Sequence, residues 1–473
     1  MTEQQNNIII PDQDSLSIEK AVTVLRNAIA ARSRSTTLPL TPGLYTFSQP
    51  IKPIDPLHWL ESQRLFPRAF WMNREKSYTI AGIGAADSIG HDERCPNTEN
   101  FELLISKLSK KNPAARYLGG FRFNSIEKHD GTWDAFPAFS FVLPLVQLTE
   151  EQGSFRLTSH LWIEKASDAE KKADILISAL AAIDSETGLI RKKPLPELKK
   201  VVCIPDRKIW TERCEKALNL FESEEMQKIM LARQTVLQFE SGFSPLLFLI
   251  NYPYPQNATY RFAFEPEENL AFISFTPERL YRRDGQTILT EALAGTFMKE
   301  TINGSDKMAS EMLLNSEKDI REHAFVKDTI YQELQSISSL VKMEDNLRVL
   351  QLNRLAHLYT RCTATLKPEC SSDSTVLSLL HPTPAVGGVP KDAAMEKIMQ
   401  LEPFCRGWYA APVGWISRDS AEFSVGIRSA LVNGTTTSLY SGAGLVKGSD
   451  PDLEWQEIEE KIGDIMAITR LHV

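Results

Sequence analysis

The chain has 473 residues, and its 53 Lys and Arg against 61 Asp and Glu leave a formal net charge of -8. This mildly acidic balance argues against an extended nucleic-acid surface, because phosphate recognition needs a basic face. We expect no membrane association, since no apolar run approaches the roughly 18 residues that a transmembrane helix needs. The six cysteines lack CxxC spacing, which predicts reduced thiols and no zinc site.

The N-terminal half predicts a mixed scaffold of helices and strands. Its first residues lack the basic flank and apolar core of a signal peptide, so we expect a cytoplasmic protein. Apolar residues recur at helical spacing over 18–32 and 168–183, whereas residues 78–83, 139–148 and 155–163 are typical of strands.

The C-terminal half predicts strands joined by tight turns. Short strands are expected over 270–275, 279–283 and 286–293, and a longer meander over 413–446. Within the meander, Asn433-Gly434 predicts a type I′ hairpin turn, because both central positions of that turn need positive φ.

Two helices accompany these strands. Ser316 and Asp319 have the spacing of a capping box ahead of a helical run over 320–334, and Asp450-Pro451 opens a second helix that continues to Ile468. Strands and helices are interspersed without a regular βαβ repeat. We therefore expect an α+β fold with large antiparallel sheets and surrounding helices.

A charged, proline-containing stretch near residue 200 predicts a crossover between two halves. We expect residues 1–200 to form a scaffold half and residues 201–473 to carry the chemistry. No Gly/Ser-rich linker separates them, so the two halves are expected to pack as one integrated domain.

Each of the two helices places a pair of carboxylates on its first turn. Asp319 and Glu322 share one helix face, and Glu454 and Glu457 share the other. If the two helix starts converge, these hard oxygen ligands suit Mg²⁺. The competing interpretation is that acidic residues are favoured in a first turn by the helix macrodipole alone.

Two further residues are candidates for acid and base chemistry. Lys228 enters an apolar run, where desolvation would free its amine as a general base, although a lysine at a strand end can also extend outward to water. Glu278 lies at a turn between strands, where a protonated carboxyl could donate to a leaving group. Pairing with Arg279 at the surface is the simpler account of Glu278.

Cationic and glycine residues near the C-terminus suggest an anion site. Arg428 interrupts a strand, and an inward arginine usually meets a carboxylate, which belongs either to the protein or to a ligand. Gly442 and Gly444 could let backbone amides approach an anion, although a lone GxG is a weak motif. Lys461 follows Glu457 by four residues and is equally explained as its ion-pair partner.

The motifs of the C-terminal half follow one another in a recognisable order. They are LARQT after Lys228, FTPERL around Glu278, EALAGT at Glu291–Thr296, SEKDIREH at Ser316–His323, RLAHLYT around His357, LLHPTPAVGGVPK at Leu379–Lys391, EPFCRGWYAAPVGW at Glu402–Trp415, IRSA after Gly426 and SGAGLVKGSDPDLEWQEIEEK at Ser441–Lys461. In this order they resemble the chorismate-utilising enzyme superfamily over roughly residues 205–470. The N-terminal half resembles it more loosely, through AFWMNREKSYTIAGIGAA and LGGFRFNS.

The resemblance implies an anthranilate synthase component I-like fold and a role for each motif residue. Lys228 would be the base that activates water, and Glu278 the acid that protonates the departing hydroxyl. Glu322 and Glu457 would bind Mg²⁺ directly, and Glu454 and Asp319 would bind it through water. The positions implied for chorismate binding are Gly295, Thr296, His357, Ala385, Tyr409, Arg428, Gly442 and Lys461.

Two positions distinguish the members of the superfamily. Ala294 stands where aminodeoxychorismate synthases carry a nucleophilic lysine, and Lys228 stands where anthranilate synthases tend to carry glutamine. The resemblance therefore implies water as the nucleophile and no glutaminase partner. The expected reaction is that of the isochorismate synthases, most similar to the menaquinone type: water adds at C2 of chorismate and the C4 hydroxyl leaves.

Three alternatives remain open from the sequence. A salicylate synthase would go on to eliminate pyruvate, and Ile427 before Arg428 looks more like the type that releases isochorismate. An isochorismate synthase of a siderophore pathway would carry the same catalytic residues. A non-catalytic chorismate-binding subunit is disfavoured, because every catalytic position holds a competent residue.

Overall fold

The computed structural model describes residues 7–9, 15–92, 98–110, 112–124, 131–185, 193–222, 226–252, 259–299, 306–352 and 354–470. Most of the N-terminal residues on which the expected absence of a signal peptide depends lie outside these ranges. Among the helices in them, none has both the length and the apolar character needed to cross a membrane.

Strands dominate the described part of the chain. They are β1 (Asn7–Ile9), β2 (Gly43–Ile51), β3 (Arg68–Met72), β4 (Tyr78–His91), β5 (Tyr117–Phe121), β6 (Phe139–Glu151), β7 (Ser154–Ile163), β8 (Leu198–Ile204), β9 (Lys228–Phe239), β10 (Arg261–Glu267), β11 (Leu270–Ser274), β12 (Arg279–Asp284), β13 (Thr287–Met298), β14 (Ser338–Met343), β15 (Arg348–Gln351), β16 (Leu355–Leu366), β17 (Gly388–Val389), β18 (Pro412–Ile416), β19 (Ser420–Val425), β20 (Ser429–Asn433) and β21 (Thr436–Val446).

Helices cover the strands. They are α1 (Ile18–Ser33), α2 (Pro56–Ser62), α3 (Thr98–Lys107), α4 (Ala169–Ala181), α5 (Arg207–Glu222), α6 (Leu246–Asn251), α7 (Asp306–Leu314), α8 (Glu317–Ile337), α9 (Asp373–Leu380), α10 (Lys391–Leu401) and α11 (Pro451–Ile468). Together with the antiparallel pairing described next, they confirm the predicted α+β fold with large antiparallel sheets.

Strand pairing joins the two halves of the chain. Nearly all the described pairs are antiparallel, and β1 with β2 is a parallel exception. From the N-terminal half, β3 pairs with β10 and β5 pairs with β18. Phe136 also packs edge-on against Trp408, deep in the hydrophobic core. The strands that carry the C-terminal motifs are therefore continued by strands of the N-terminal half.

The two helices with paired carboxylates begin as their sequences predict. The Ser316 hydroxyl accepts a hydrogen bond from the Asp319 amide at the start of α8. The Asp450 carboxylate accepts from two backbone amides at the start of α11, with Pro451 in the first turn. These caps satisfy amide groups that a helix start otherwise leaves without partners, so both helix starts are fixed locally.

The hairpin between β20 and β21 is present, but its predicted turn type was wrong. Asn433 pairs with Thr436, so Gly434 and Thr435 are the central residues of the turn. Only Gly434 has a positive φ, of 59°. That pattern belongs to a type II′ turn, which needs glycine only at its first central position.

Candidate active site

A cleft lies where the ends of β9, β13 and β21 meet α8 and α11. Twelve of the fourteen predicted site residues line it. They are Lys228, Glu278, Gly295, Thr296, Glu322, His357, Ala385, Tyr409, Arg428, Gly442, Glu457 and Lys461. The other two, Asp319 and Glu454, lie beside the cleft on the same two helices.

Lys228 and Glu322 form a buried ion pair across the cleft. Lys228 begins β9 and is 1% exposed, and its Nζ donates to Oε1 of Glu322 over 2.9 Å. Burial alone would raise the pKa of the Glu322 carboxyl, but the Lys228 ammonium overrides it and the net pKa is lowered. Glu322 is therefore held as a carboxylate, and Lys228 points into the cleft and not outward to solvent.

Lys461 and Glu457 repeat this arrangement on α11. The Lys461 Nζ lies 2.6 Å from Oε1 of Glu457, as the four-residue spacing predicted. It also donates to the Gly442 carbonyl over 2.9 Å, so the lysine ties α11 to β21. The predicted ion pair is therefore present and Lys461 also lines the cleft, while its role in binding an anion stays a prediction.

The remaining two carboxyl groups, those of Glu454 and Asp319, interact electrostatically with charged side chains of the same two helices. Burial, followed by the charge of Glu457, raises the pKa of Glu454 to about 7, while Lys318 at 3.6 Å opposes the shift. Burial also raises the pKa of Asp319, with Glu322 adding to it. Within the described residues, no three His, Cys, Asp or Glu side chains are grouped as a formed metal site.

Glu278 occupies a different environment, between β11 and β12. Its amide donates to the Thr276 hydroxyl over 3.1 Å, and its carbonyl accepts from the Val425 amide over 3.1 Å. Burial, followed by the charge of Glu291, raises the pKa of the Glu278 carboxyl to about 8. A buried carboxyl in this state carries a proton at neutral pH and can donate it.

The simpler account of Glu278, a surface pair with Arg279, was wrong. Both side chains are buried. Arg279 is directed to other carboxylates: its Nη2 lies 2.7 Å from Glu75 and 3.4 Å from Glu422. Glu278 is therefore left facing the cleft.

A chain of hydrogen bonds fixes the cationic wall. Gly295 has a φ of 75° at a bulge in β13, where the register shifts against β16. Its carbonyl lies 3.2 Å from Nδ1 of His357, and Arg428 Nη2 lies 2.8 Å from Nε2 of the same ring. Since a guanidinium only donates and a carbonyl only accepts, His357 carries its proton on Nδ1 and is neutral.

Burial, followed by the charges of Arg428 and Lys461, lowers the pKa of His357 well below its ordinary value, in agreement with the neutral ring. Within the described contacts the Arg428 side chain donates to this imidazole and to no carboxylate of the protein, so the predicted contact with a ligand carboxylate stays a prediction. Its backbone also has a φ of 49°, which is uncommon for a non-glycine residue and directs the guanidinium into the cleft.

Tyr409 and Gly442 form the opposite wall. The Tyr409 ring stacks on Tyr440 with 5.5 Å between centroids, and burial raises the pKa of its phenol, so the hydroxyl stays protonated. A Cβ at Gly442 would lie 2.9 Å from that hydroxyl and 2.9 Å from the Leu231 carbonyl. Glycine is therefore required where Tyr409 approaches β21. Thr296 and Ala385 complete the lining.

Nine lining residues were not predicted as site residues, and Arg406 and Gly444 are the two of them that shape the walls most directly. Arg406 holds the Glu402 carboxylate at 2.6 and 2.8 Å and donates to the carbonyls of Met230 and Val386, so it braces the wall behind Tyr409. Glu402 and Arg406 follow the end of α10 at Leu401, so the i,i+4 rule for helices gave no signal for this pair. At Gly444, a Cβ would lie 3.1 Å from Glu322 Oε1 and 3.2 Å from Lys228 Cε.

Known proteins share this architecture over nearly the whole chain. The family model described as chorismate binding enzyme matches residues 30–470. A chloroplastic isochorismate synthase of Catharanthus roseus is 32% identical over 95% of this chain and 85% of its own length. The solved menaquinone-specific isochorismate synthase of Escherichia coli is 29% identical, has a TM-score of 0.82 and covers 96% of this chain and 100% of its own.

The structure of anthranilate synthase component I from Streptococcus pneumoniae, 19% identical over 83% of this chain and 92% of its own, has a TM-score of 0.64 and confirms the predicted fold. The predicted resemblance to isochorismate synthases is confirmed by the two relatives of that name. With a family model that matches all but the ends of the sequence, the chain belongs to the chorismate binding enzyme family.

Proposed function

We propose that this protein is an isochorismate synthase, which converts chorismate to isochorismate by exchanging a C4 hydroxyl for a C2 hydroxyl. One observation carries the proposal: Lys228 and the protonated carboxyl of Glu278 line the same cleft, and the residue at position 294 is alanine, which offers no amine. The cleft can thus supply a base and an acid but no amine nucleophile at position 294.

Cationic groups of the cleft suit a substrate with two carboxylates. Arg428 and Lys461 both reach the lining, and Arg428 is held by the neutral His357 so that its remaining donors face the cleft. An anion bound there is desolvated, and fixed donors in such a site stabilise charge without reorganising. We assign the enolpyruvyl carboxylate to Arg428 and the Gly442 backbone, with Tyr409 beside it.

The proton transfers balance between the two walls of the cleft. Lys228 first passes the proton of its ammonium to solvent. The resulting amine then takes a proton from a water molecule as its oxygen bonds to C2, and the ring double bonds shift as the C4–O bond breaks. Glu278 gives its proton to the departing oxygen, which leaves as water. One water enters and one leaves, so the product is an isomer of the substrate, and solvent restores both side chains.

We propose that Glu322 and Glu457 hold Mg²⁺, with Glu454 and Asp319 acting through water. The donor set fits the ion, because hard carboxylate oxygens come from two helix starts and the charges of Glu322 and Glu457 add to the raised pKa of Glu454 and that of Glu322 to the raised pKa of Asp319. A divalent cation would offset this repulsion. Bound there, Mg²⁺ would hold the ring carboxylate and stabilise its charge.

Metal binding can be tested without turnover by calorimetric titration of Mg²⁺. We expect Glu457→Gln to weaken binding about tenfold or more, because it removes a direct ligand. Asp452→Asn is the matched control: Asp452 lies in the first turn of α11, one turn before Glu457, and pairs with Arg207 at the surface. It removes a carboxylate near the helix start without removing a proposed ligand. Equal affinity in Glu457→Gln would reject the ligand assignment.

The reaction itself is tested by incubating the protein with chorismate and Mg²⁺, without ammonia, and separating the products by chromatography. We expect isochorismate. Prompt salicylate and pyruvate would favour a salicylate synthase, and no turnover would reject both activities. We place the reaction in menaquinone synthesis rather than in a siderophore pathway, because the solved relative with a TM-score of 0.82 is menaquinone-specific.

We further propose that residues 1–200 form the scaffold half and residues 201–473 the chorismate-binding catalytic region of one integrated domain. The pairing of β3 with β10 and of β5 with β18 supports their integration into one domain. A cytoplasmic location, with no glutaminase subunit, is also proposed. The five described cysteines are free thiols, which suits a reducing compartment.

A further inference from the structure

A buried group of charges lies behind the Glu278 wall of the cleft. We call it the buried ion cluster, and its members are Arg74, Glu75, Arg279, Glu291 and Glu422. All but Glu75 are less than 8% exposed. Arg74 and Glu75 come from the N-terminal half, in the turn between β3 and β4, whereas the other three belong to β12, β13 and β19.

Arg74 makes the shortest contacts of this cluster. Its Nη1 donates to Glu291 Oε1 over 2.6 Å and its Nη2 donates to Oε2 over 2.7 Å, which is the two-pronged geometry of a strong arginine–carboxylate pair. The same Nη1 also donates to the Pro277 carbonyl over 2.8 Å. Pro277 directly precedes Glu278, so this guanidinium contacts the peptide group that leads into the acid.

Glu291 connects Arg74 to Glu278 by a second route. Its Oε1 accepts from the Arg279 amide over 3.0 Å, which fixes the backbone on the other side of Glu278. Arg74 and its partner thus hold the residues before and after the acid. No cation could replace this fork easily, since a lysine at position 74 would offer a point charge in place of the two parallel donors.

We propose that Arg74 is a positioning residue for the reaction, acting through Pro277 and Glu291 to hold the Glu278 carboxyl at the cleft. This inference rests on the proposed function, in which Glu278 delivers the proton. The N-terminal half then does more than complete the sheet, because one of its side chains fixes the geometry of an acid on a segment of the catalytic region.

The charge of Arg74 can be tested through the pH dependence of activity, which a purely structural role would not change. The groups that act on Glu278 are Glu291 on β13, Lys228 on β9, Lys461 on α11 and Thr383 before β17. Glu291 raises the pKa of Glu278, and Arg74 neutralises Glu291 at 2.6 Å. Removing the Arg74 charge should therefore raise the pKa of Glu278 further and extend activity to higher pH.

The test compares Arg74→Gln and Arg74→Lys in the full-length protein, with kcat, KM and their pH profiles measured on chorismate. We expect Arg74→Gln to lower kcat about a hundredfold with little change in KM, because misplacing a reacting group has that effect. Its alkaline limb, the fall in activity at high pH, should move to higher pH. Arg74→Lys keeps the charge, so the limb should return to the wild-type position while kcat recovers only in part.

Arg68→Gln is the matched control. Arg68 lies on β3 and forms an equally buried pair with Glu265 on β10, also across the two halves, but its described partners do not line the cleft. It should lower stability without moving the pH limb. Glu291→Gln should move the limb downward, and it keeps the test decisive if Arg74→Gln fails to fold.

The inference is overturned if Arg74→Gln keeps wild-type kcat, or if the alkaline limb stays fixed in both Arg74→Gln and Glu291→Gln. Its failure is distinguishable from failure of the proposed function. Wild-type protein that forms isochorismate while these variants behave normally rejects only the role of Arg74. Wild-type protein that does not convert chorismate rejects the function itself.

Discussion

The pKa of a buried glutamate is lowered on one wall of the cleft and raised on the other. Glu322 faces the Lys228 ammonium at 2.9 Å, and the net pKa of its carboxyl is lowered. Glu278 has no such close partner within the described contacts, and burial followed by the charge of Glu291 raises its pKa to about 8. Burial alone therefore does not decide ionisation here; the nearest charge does. We call the wall with Lys228 and Glu322 the first wall, and its carboxylate can hold a cation or an amine. We call the wall with Glu278 the second wall, and its carboxyl can give up a proton.

The largest effect is expected from removing the amine of the first wall. Lys228→Ala should reduce kcat about a thousandfold or more, because a general base contributes roughly 10² to 10⁴ and the buried Glu322 also loses its partner. Chorismate binding, measured by calorimetry, should be largely kept.

Lys228→Arg separates these two losses. Arginine keeps the positive charge beside Glu322 but does not deprotonate near neutral pH, so it should be nearly as inactive as the alanine variant. Substantial turnover by Lys228→Arg would show that the side chain acts through its charge and not as a base.

Replacing the acid of the second wall with its neutral isostere tests whether Glu278 delivers the proton. Glu278→Gln keeps the shape of the side chain but has no proton to deliver, and kcat should fall about a hundredfold or more. Folding should be little affected, because the carboxyl is already uncharged at neutral pH. Thermal unfolding and product formation measured side by side would check both statements. Near-normal turnover would assign the proton transfer to another group.

Many residues of the two walls could be predicted from the sequence, because local patterns determine where their helices and turns begin. Asp450-Pro451 and the Ser316 capping box place the starts of two helices, and with them the carboxylates of the first wall. The family resemblance then named the residues of both walls. The hairpin at Gly434 was found as well, although the sequence alone did not fix which two residues occupy its centre.

Contacts between distant residues could not be predicted. Lys228 and Glu322 are 94 positions apart, and Arg74 and Glu291 are 217 apart, so no spacing rule relates them. The protonation of Glu278 depends on burial and on Glu291, and both are properties of the folded chain. The partner of Arg428 was missed for the same reason, since His357 reaches it from another strand.

The pH dependence of kcat/KM tests the second wall when wild-type protein is compared with Glu278→Gln. Glu278 must be protonated to act as an acid, and its pKa is about 8 in the folded protein. We therefore expect the wild-type kcat/KM, divided by that of Glu278→Gln, to hold steady below pH 8 and to fall about tenfold per unit above it. The ratio cancels the pH dependence of Lys228, which must lose its ammonium proton to act as the base. A ratio that stays flat to pH 10 would mean that Glu278 is not the acid. The residual activity of Glu278→Gln should lack this limb.

The smallest expected effect concerns how exactly the Lys228–Glu322 pair of the first wall must be placed. At Gly444 an added Cβ would lie 2.8 Å from the Met230 sulfur, 3.1 Å from Glu322 Oε1 and 3.2 Å from Lys228 Cε, so Gly444→Ala must displace the ion pair by a few tenths of an ångström. We expect kcat to fall about tenfold, since such reactions are sensitive to small displacements. Gly90→Ala is the control, because its Cβ would meet nothing closer than 3.7 Å. Equal kcat in the two variants would show that the Lys228–Glu322 pair tolerates displacement, and that the first wall depends on charge more than on exact placement.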